Sequence, residues 1–329
     1  DHYVTADLTE KWTTAGAAAV IVQSAGRRGT AAISSPSPND PNLRKTVASQ
    51  QTLIIGCAWQ TTDLPTTLTR TLLAVLDGAT IQADARLNVN GTITLTRNGT
   101  ALASSTAALA TSTYHFIELK VLVDNSSGVA IFRVNGSAIV TASGVDTQAT
   151  ANAQATAAGV GAGNNVGGSW LVDDLYICNG AGSENSGFLG DVRVDAIFSV
   201  LSGTVSNFSP SSAGATGVSM VNSAVPDDSS TYLYASTVSS LQRFFMSGLA
   251  SAGGSIFGVQ LCLATAKSDA GARTAAALVF ASATSGEGAS AALATSYSYL
   301  LYSTSETPTG ASWTATGVSS AEFGLKVTA

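Results

Sequence analysis

Side chains suited to acid–base catalysis are scarce in this 329-residue sequence, which contains two histidines, His2 and His115. A Ser-His-Asp triad would need one of them, because the imidazole is the general base of that mechanism. His2 lies at the start of the chain, where a frayed backbone orients a base poorly. His115 begins a strand-like segment and shares a face with Ile117 and Leu119. We therefore expect His115 to be structural.

Paired carboxylates are a second candidate chemistry, since a retaining glycosidase needs two of them about 5–5.5 Å apart. Six glutamates are scattered along the chain: Glu10, Glu118, Glu184, Glu287, Glu306 and Glu322. Asp173 and Asp174 are adjacent, so in a strand they are expected to point to opposite faces. We interpret this pair as structural, accepting hydrogen bonds from a turn. The sequence predicts no catalytic residue and a protein that is not an enzyme.

Calcium binding by Asp173 and Asp174 is the alternative interpretation of that pair. Calcium requires six to eight oxygen ligands, and further candidates such as Asp146 or Asn164 cannot be placed from sequence. Asp227-Asp228, followed by two serines, indicates an ordinary polar turn. We expect no metal and no cofactor.

Other ligand and redox motifs are incomplete. Residues 159–163 read Gly-Val-Gly-Ala-Gly, but no helix signal and no Lys-Ser/Thr follows, so we expect a flexible loop instead of a phosphate site. The cysteines, Cys57, Cys178 and Cys262, are widely spaced in apolar surroundings, which predicts buried free thiols in strands. Arg27-Arg28 is too small a patch to bind nucleic acid.

The amino-acid composition excludes further classes of protein. Charged residues make up 11% of the chain, the net charge is -6, and Ala (54), Ser (42) and Thr (39) together dominate. A mildly acidic chain without a basic run lacks the electrostatic footprint of a nucleic-acid partner. No apolar stretch approaches the ~20 residues that span a bilayer, and 45% hydrophobic residues argue against disorder. We take the start at Asp1 as a processed or truncated one.

Strand-like patterns in the sequence indicate the elements that carry these candidate residues. Residues 86–100 alternate apolar and polar side chains and contain two Asn-Gly pairs, which indicates antiparallel strands joined by tight turns. Similar alternation covers residues 115–123, 129–134 and 137–140, with Asn135-Gly136 as a further turn. The Ala-rich windows 101–110, 147–158 and 272–277 are the only helix candidates, and their interruptions and missing caps make a long helix unfavourable. The chain is predicted to be all-β.

This strand order carries a resemblance. The His115 strand, the turn at Val134-Asn135-Gly136 and the late Asp173-Asp174-x-x-Ile177 strand resemble a concanavalin A-like or laminin-G-like jelly roll. Some laminin-G modules bind calcium, and glucanases of the concanavalin A-like fold carry a Glu-x-Asp-x-x-Glu pattern that is absent from this chain. Further segments resemble structural proteins of tailed bacteriophages, in which a second β domain follows the jelly roll: residues 1–12, 185–194, 307–314 and 322–327.

Two domains are predicted. A Gly-rich polar stretch, residues 179–187, indicates a boundary, giving a concanavalin A-like jelly-roll sandwich over residues 1–187 and a second, smaller β-sandwich over 188–329. Short apolar strands are predicted beyond the boundary at residues 191–198, 231–235, 241–246, 255–264, 275–281, 297–302 and 322–327.

Three classes of function remain. The resemblance favours a virion structural protein, capsid-decorating or tail-associated, whose partners are other virion proteins and copies of itself. The first alternative is a carbohydrate-binding receptor module with a host-surface glycan as partner. A lectin is expected to expose aromatic rings, whereas Trp12, Trp59, Trp170 and Trp313 lie in apolar contexts that predict core positions. The third class is an unrecognised hydrolase.

Overall fold

The computed structural model of the chain describes residues 5, 8–16, 19–22, 24–34, 43–161, 170–223, 227–251 and 253–329. Its contacts divide these residues into two compact units, the first ending at Val194 and the second beginning at Asp195. Within the described ranges, no helix has both the length and the apolar character to cross a bilayer.

The first unit contains two seven-stranded antiparallel sheets and a short helix, α1 (Leu8–Lys11). Its strands are β1 (Thr14–Ala15), β2 (Val20–Val22), β3 (Ala32–Ser34), β4 (Leu43–Gln50), β5 (Thr52–Thr61), β6 (Arg70–Asp77), β7 (Thr80–Leu87), β8 (Thr92–Arg97), β9 (Thr100–Ala108), β10 (His115–Leu122), β11 (Gly128–Val134), β12 (Ser137–Val145), β13 (Ala155–Val160) and β14 (Trp170–Cys178). One sheet has the order β1-β4-β13-β6-β7-β8-β9, and the other has the order β12-β11-β10-β5-β14-β3-β2.

The core of this unit lies between the two sheets. From β10, Ile117 and Leu119 point into it, and from β7 Ala83 and Ala85 do so, because alternate residues of a strand share a face. Trp59 and Trp170 stack within it with ring centroids 5.0 Å apart. The intervening residues of β10 and β14 therefore point to the opposite face of their sheet, where the candidate site lies.

The second unit is a smaller sandwich. Its strands are β15 (Ser199–Ser206), β16 (Ser209–Pro210), β17 (Leu233–Tyr234), β18 (Leu241–Met246), β19 (Val259–Thr265), β20 (Thr274–Ala281), β21 (Thr284–Glu287), β22 (Ala291–Ala292), β23 (Ser298–Thr304) and β24 (Glu322–Val327), with a helix α2 (Ala315–Ser320). A sheet of order β15-β18-β24-β20-β21, with β22 beside β20, contributes Val279 and Phe323 to a core that also contains Leu261 of the β19–β23 pair.

The predicted all-β class, with a jelly-roll sandwich followed by a smaller β-sandwich, is confirmed. The Ala-rich windows fold as β9, as a loop leading into β13, and as β20. One predicted strand is wrong: residues 191–198 form no strand, because their backbone binds the first unit up to Val194, and the strand begins at Ser199.

Candidate functional site

Asp173 and Asp174 hold the loop of residues 26–30 in the first unit. The Asp173 carboxylate accepts hydrogen bonds from the Arg27 backbone N–H at 2.9 Å and from Thr30 Oγ1 at 3.1 Å. The Asp174 carboxylate forms ion pairs with Arg27 at 2.8 Å and Arg28 at 3.2 Å. The expectation that the two carboxylates point to opposite faces is wrong, because the register of β14 shifts after Asp173 and Asp174 adopts a positive φ of 52°.

Glu118 and Tyr176 form a second polar contact on the same sheet face. The Tyr176 hydroxyl donates to Glu118 Oε1, which also accepts from the Gly190 N–H at 2.8 Å. The Leu189 N–H donates to the Tyr176 oxygen at 3.2 Å. Burial, followed by the hydrogen bond to Glu118, raises the pKa of Tyr176, so this phenol stays protonated and remains a donor.

Both contacts involve residues 187–194, which we call the strap. Arg27 binds the strap twice, through the Asp191 carboxylate at 2.5 Å and the Val192 carbonyl at 2.8 Å. The Val194 N–H donates to Asp174 at 2.8 Å, and burial raises the pKa of that carboxyl. The strap therefore covers the outer face of the sheet that contains β14. Beneath it, the arginine side chains of Arg27-Arg28 bind the carboxylate of Asp174.

A calcium site is not assembled from the predicted ligands. Asp146 pairs with Arg97 and accepts the Gln148 N–H at 2.9 Å, while Asn164 lies outside the described residues. In the part of the chain that the structure describes, no group of three or more His, Cys, Asp or Glu side chains could hold a metal ion.

A buried carboxylate and its partly exposed arginine partner on the other sheet were not identified from sequence. Asp84 of β7 is fully buried and accepts hydrogen bonds from Thr71, Thr96 and Arg86. Burial raises the pKa of Asp84 against the opposing effect of Arg86. The available signal was the alternation of Asp84 and Arg86 with core-facing alanines, which places both on the outer face.

Three of the remaining candidate acid–base residues have structural partners. The His115 Nε2–H donates to the Ala110 carbonyl at 3.1 Å, and His2 lies outside the described residues. Glu322 accepts from the Thr204 N–H at 2.8 Å, and Glu287 pairs with Lys326 at 2.8 Å.

Two predictions about small motifs need correction. Gly159 and Val160 end the central strand β13 and do not form a loop, because this strand lies between β4 and β6; residues 162–163 lie outside the described ranges. The prediction of three buried thiols holds for Cys57, but Cys178 is half-buried and Cys262 is exposed, since Leu261 takes the core-facing position of β19. The four tryptophans are buried, as predicted.

Exposed aromatic rings occur instead in the second unit. Tyr232 and Tyr234 are 39% and 54% exposed, with ring centroids 6.3 Å apart. The predicted Asp227-Asp228 turn precedes them: the Ser230 N–H donates to the Asp227 carbonyl at 3.0 Å. The two-residue strand that contains Tyr234 is too short for its sequence to show which side chains are exposed.

No family model and no curated protein matches the chain. Among solved structures, the chain resembles the cellulose induced protein Cip1 at 16% identity and a TM-score of 0.40, over 50% of this chain and 87% of that one. It also resembles the alginate lyase AlgAT5 of polysaccharide lyase family 7, at 12% identity and a TM-score of 0.37, over 50% and 83% of the two chains. A third match is an endo-β-1,4-glucuronan lyase from Trichoderma reesei, at 9% identity and a TM-score of 0.39, over 48% and 85%.

These matches contradict one expectation. The sequence predicted that the protein is not an enzyme, whereas two of these three similar structures are polysaccharide lyases, and we withdraw that prediction. At this identity and TM-score, the likeness assigns none of their reactions to this chain.

Proposed function

We propose that this chain is a virion structural subunit that assembles with copies of itself through β15. The observation that carries the proposal is a pair of consecutive apolar side chains, Val200 and Leu201, which are 56% and 60% exposed. The pairing of β15 with β18 shifts register between Ser199 and Leu201, and the second unit leaves both side chains exposed at this irregularity. An exposed apolar edge strand is a template for pairing with another chain.

A second copy fits this edge. β15 is the outer strand of its sheet and, among the described strands, pairs only with β18. Residues 199–206 carry no charge, so antiparallel pairing of two copies places no like charges opposite each other. The resemblance of the sequence to tailed-bacteriophage structural proteins supports a virion as the setting of this assembly.

Replacing Val200 and Leu201 together by Lys tests the self-association. We expect the wild-type chain to form oligomers at micromolar concentration in mass photometry and the double variant to be monomeric, because buried lysines oppose edge pairing. The matched control replaces Leu68 and Val89 by Lys; these are 53% and 51% exposed in the first unit, and the control should associate normally. A monomeric wild type, or equal association of all three chains, would contradict the proposal.

The virion setting has its own test. Mass spectrometry of purified particles from the source of this sequence should detect the chain in stoichiometric amounts. Absence from the particles refutes the virion setting even if the isolated chain associates.

Carbohydrate binding is the second candidate function, and one observation favours it. The tryptophans offer no stacking surface because they are buried, but Tyr232 and Tyr234 present exposed rings side by side.

A further inference from the structure

Tyr232 and Tyr234 are held on one face of the short strand pair that β16 and β17 form. They flank Leu233, which points the other way and packs beside Gly217, as strand alternation requires. The Tyr232 N–H donates to Ser211 Oγ at 3.2 Å, and the Ser211 N–H donates back to the Tyr232 carbonyl at 2.9 Å. The backbone under both rings is therefore fixed before any ligand arrives, which lowers the entropic cost of binding.

Hydrogen-bonding groups adjoin the rings. The Asp227 carboxylate is oriented by the Thr231 hydroxyl at 2.7 Å, and Asp228 is exposed with a positive φ of 51°. Tyr297 lies close enough to both carboxylates and to Tyr232 for their charges to act on its hydroxyl. Burial and these neighbours raise the pKa of Tyr297. Its hydroxyl therefore stays protonated and remains a hydrogen-bond donor.

The surroundings of the rings are acidic. The sequence contains no Lys or Arg between Arg193 and Arg243, and among the described residues no cation pairs with Asp227 or Asp228. Carboxylates without a cation repel uronate, sulfate and phosphate groups. The charge of the patch therefore excludes anionic ligands.

We propose that Tyr232, Tyr234, Asp227 and Asp228 form a binding site for a neutral glycan. A neutral pyranose has an apolar C–H face that covers an aromatic ring and a rim of hydroxyls that donate to carboxylates. The planes of the two adjacent rings are tilted by 58°, so each ring offers its face to a separate sugar unit. This site rests on the second candidate function and is independent of assembly through β15.

The full-length chain is first tested on an array of neutral and acidic glycans, and the strongest neutral ligand is then titrated by calorimetry. We expect neutral glycans to bind, and Tyr232→Ala and Tyr234→Ala each to weaken binding at least tenfold. Tyr234→Phe keeps the ring and should stay within about threefold of wild type. The control Phe257→Ala removes another exposed ring of the same unit, 38% exposed, and should leave the affinity unchanged.

Three results overturn the site. They are binding of acidic glycans only, no glycan binding at all, and neutral-glycan binding that survives the combined Tyr232→Ala and Tyr234→Ala change. Mass photometry of the same variants separates the site from a protein interface: a change in oligomer size without loss of glycan binding assigns the rings to protein contact. Circular dichroism and the melting temperature verify that each variant is folded.

Discussion

Gly56 shows how one residue permits the polar contact beneath the strap. It lies opposite both Glu118 and Tyr176 in the pairing of β5 with its two neighbours. A Cβ built on Gly56 would lie 2.2 Å from Tyr176 Cε1, so any side chain displaces this ring from Glu118. The requirement is steric, because the backbone of Gly56 does not have a positive φ.

Gly56→Ala is therefore expected to destabilise the first unit by about 1–3 kcal/mol, the usual cost of overpacking a filled space. Urea unfolding followed by tryptophan fluorescence measures the change. Gly187→Ala is the matched control, since nothing lies within 4 Å of its added Cβ. Equal stability of the two variants would mean that the ring moves aside without loss.

Asp124 gives a residue-scale prediction of pH dependence. Its carboxylate accepts the N–H groups of Ser127 at 2.7 Å and Ser126 at 2.8 Å, and these bonds lower its pKa to about 2. The unfolded value is about 3.9. Because the folded pKa is the lower one, the stabilisation is present above about pH 3.9 and is lost as the pH falls through about 2.

An NMR titration of the Asp124 carboxyl carbon should give a midpoint near 2, and the stability advantage over Asp124→Asn should shrink between about pH 4 and 2. A midpoint near the ordinary value of about 3.9 would show that the turn does not hold the carboxylate in solution.

At the scale of elements, local chemistry predicted the hairpins well. Asn98-Gly99 and Asn135-Gly136 both have positive φ at both residues, as a primed turn requires. The predicted strands 115–123 and 129–134 match β10 and β11, because alternate residues of each strand face the core, whereas β12 continues to Val145, beyond the predicted 137–140. These elements depend on neighbours in sequence, and for that reason sequence was sufficient.

The strap and the Asp173-Asp174 contact depend on residues far apart in the chain, so sequence could not place them. Arg27 and Asp191 are separated by 164 residues, and neither has a local pattern that indicates the other. The bulge that turns Asp174 toward Arg27 interrupts the alternation from which opposite faces were predicted. The exposed tyrosines escaped notice because a two-residue strand such as β17 has no period to detect.

At the scale of the whole molecule, the free energy of unfolding of fragments of different length can locate the end of the first unit. The predicted boundary after residue 187 coincides with the end of the Gly-rich stretch, but the strap that follows contacts the first unit. The Phe188 ring lies 4.1 Å beneath the Arg133 guanidinium. Gly190 and Val194 donate to the buried carboxylates of Glu118 and Asp174, and Asp191 pairs with the half-buried Arg27. A chain ending at residue 187 loses all of these contacts.

We expect a fragment of residues 1–194 to be more stable than a fragment of residues 1–187. Removing the strap takes one backbone N–H donor from each of the Glu118 and Asp174 carboxylates, which keep Tyr176 and the two arginines as partners, and each hydrogen bond lost to a carboxylate costs about 1–3 kcal/mol. The exposure of both carboxylates to water in the shorter fragment offsets part of that cost, so the expected total is a few kcal/mol.

Urea unfolding measures the stability of both fragments and of a third chain, residues 1–194 with Asp191→Ala. The third chain separates the contribution of the ion pair to Arg27 from that of the backbone contacts of the strap. The single variant should fall between the two fragments, because Asp191 is half exposed and its ion pair is partly screened by solvent. If the two fragments are equally stable, the first unit ends at residue 187 and the strap contributes nothing to its stability.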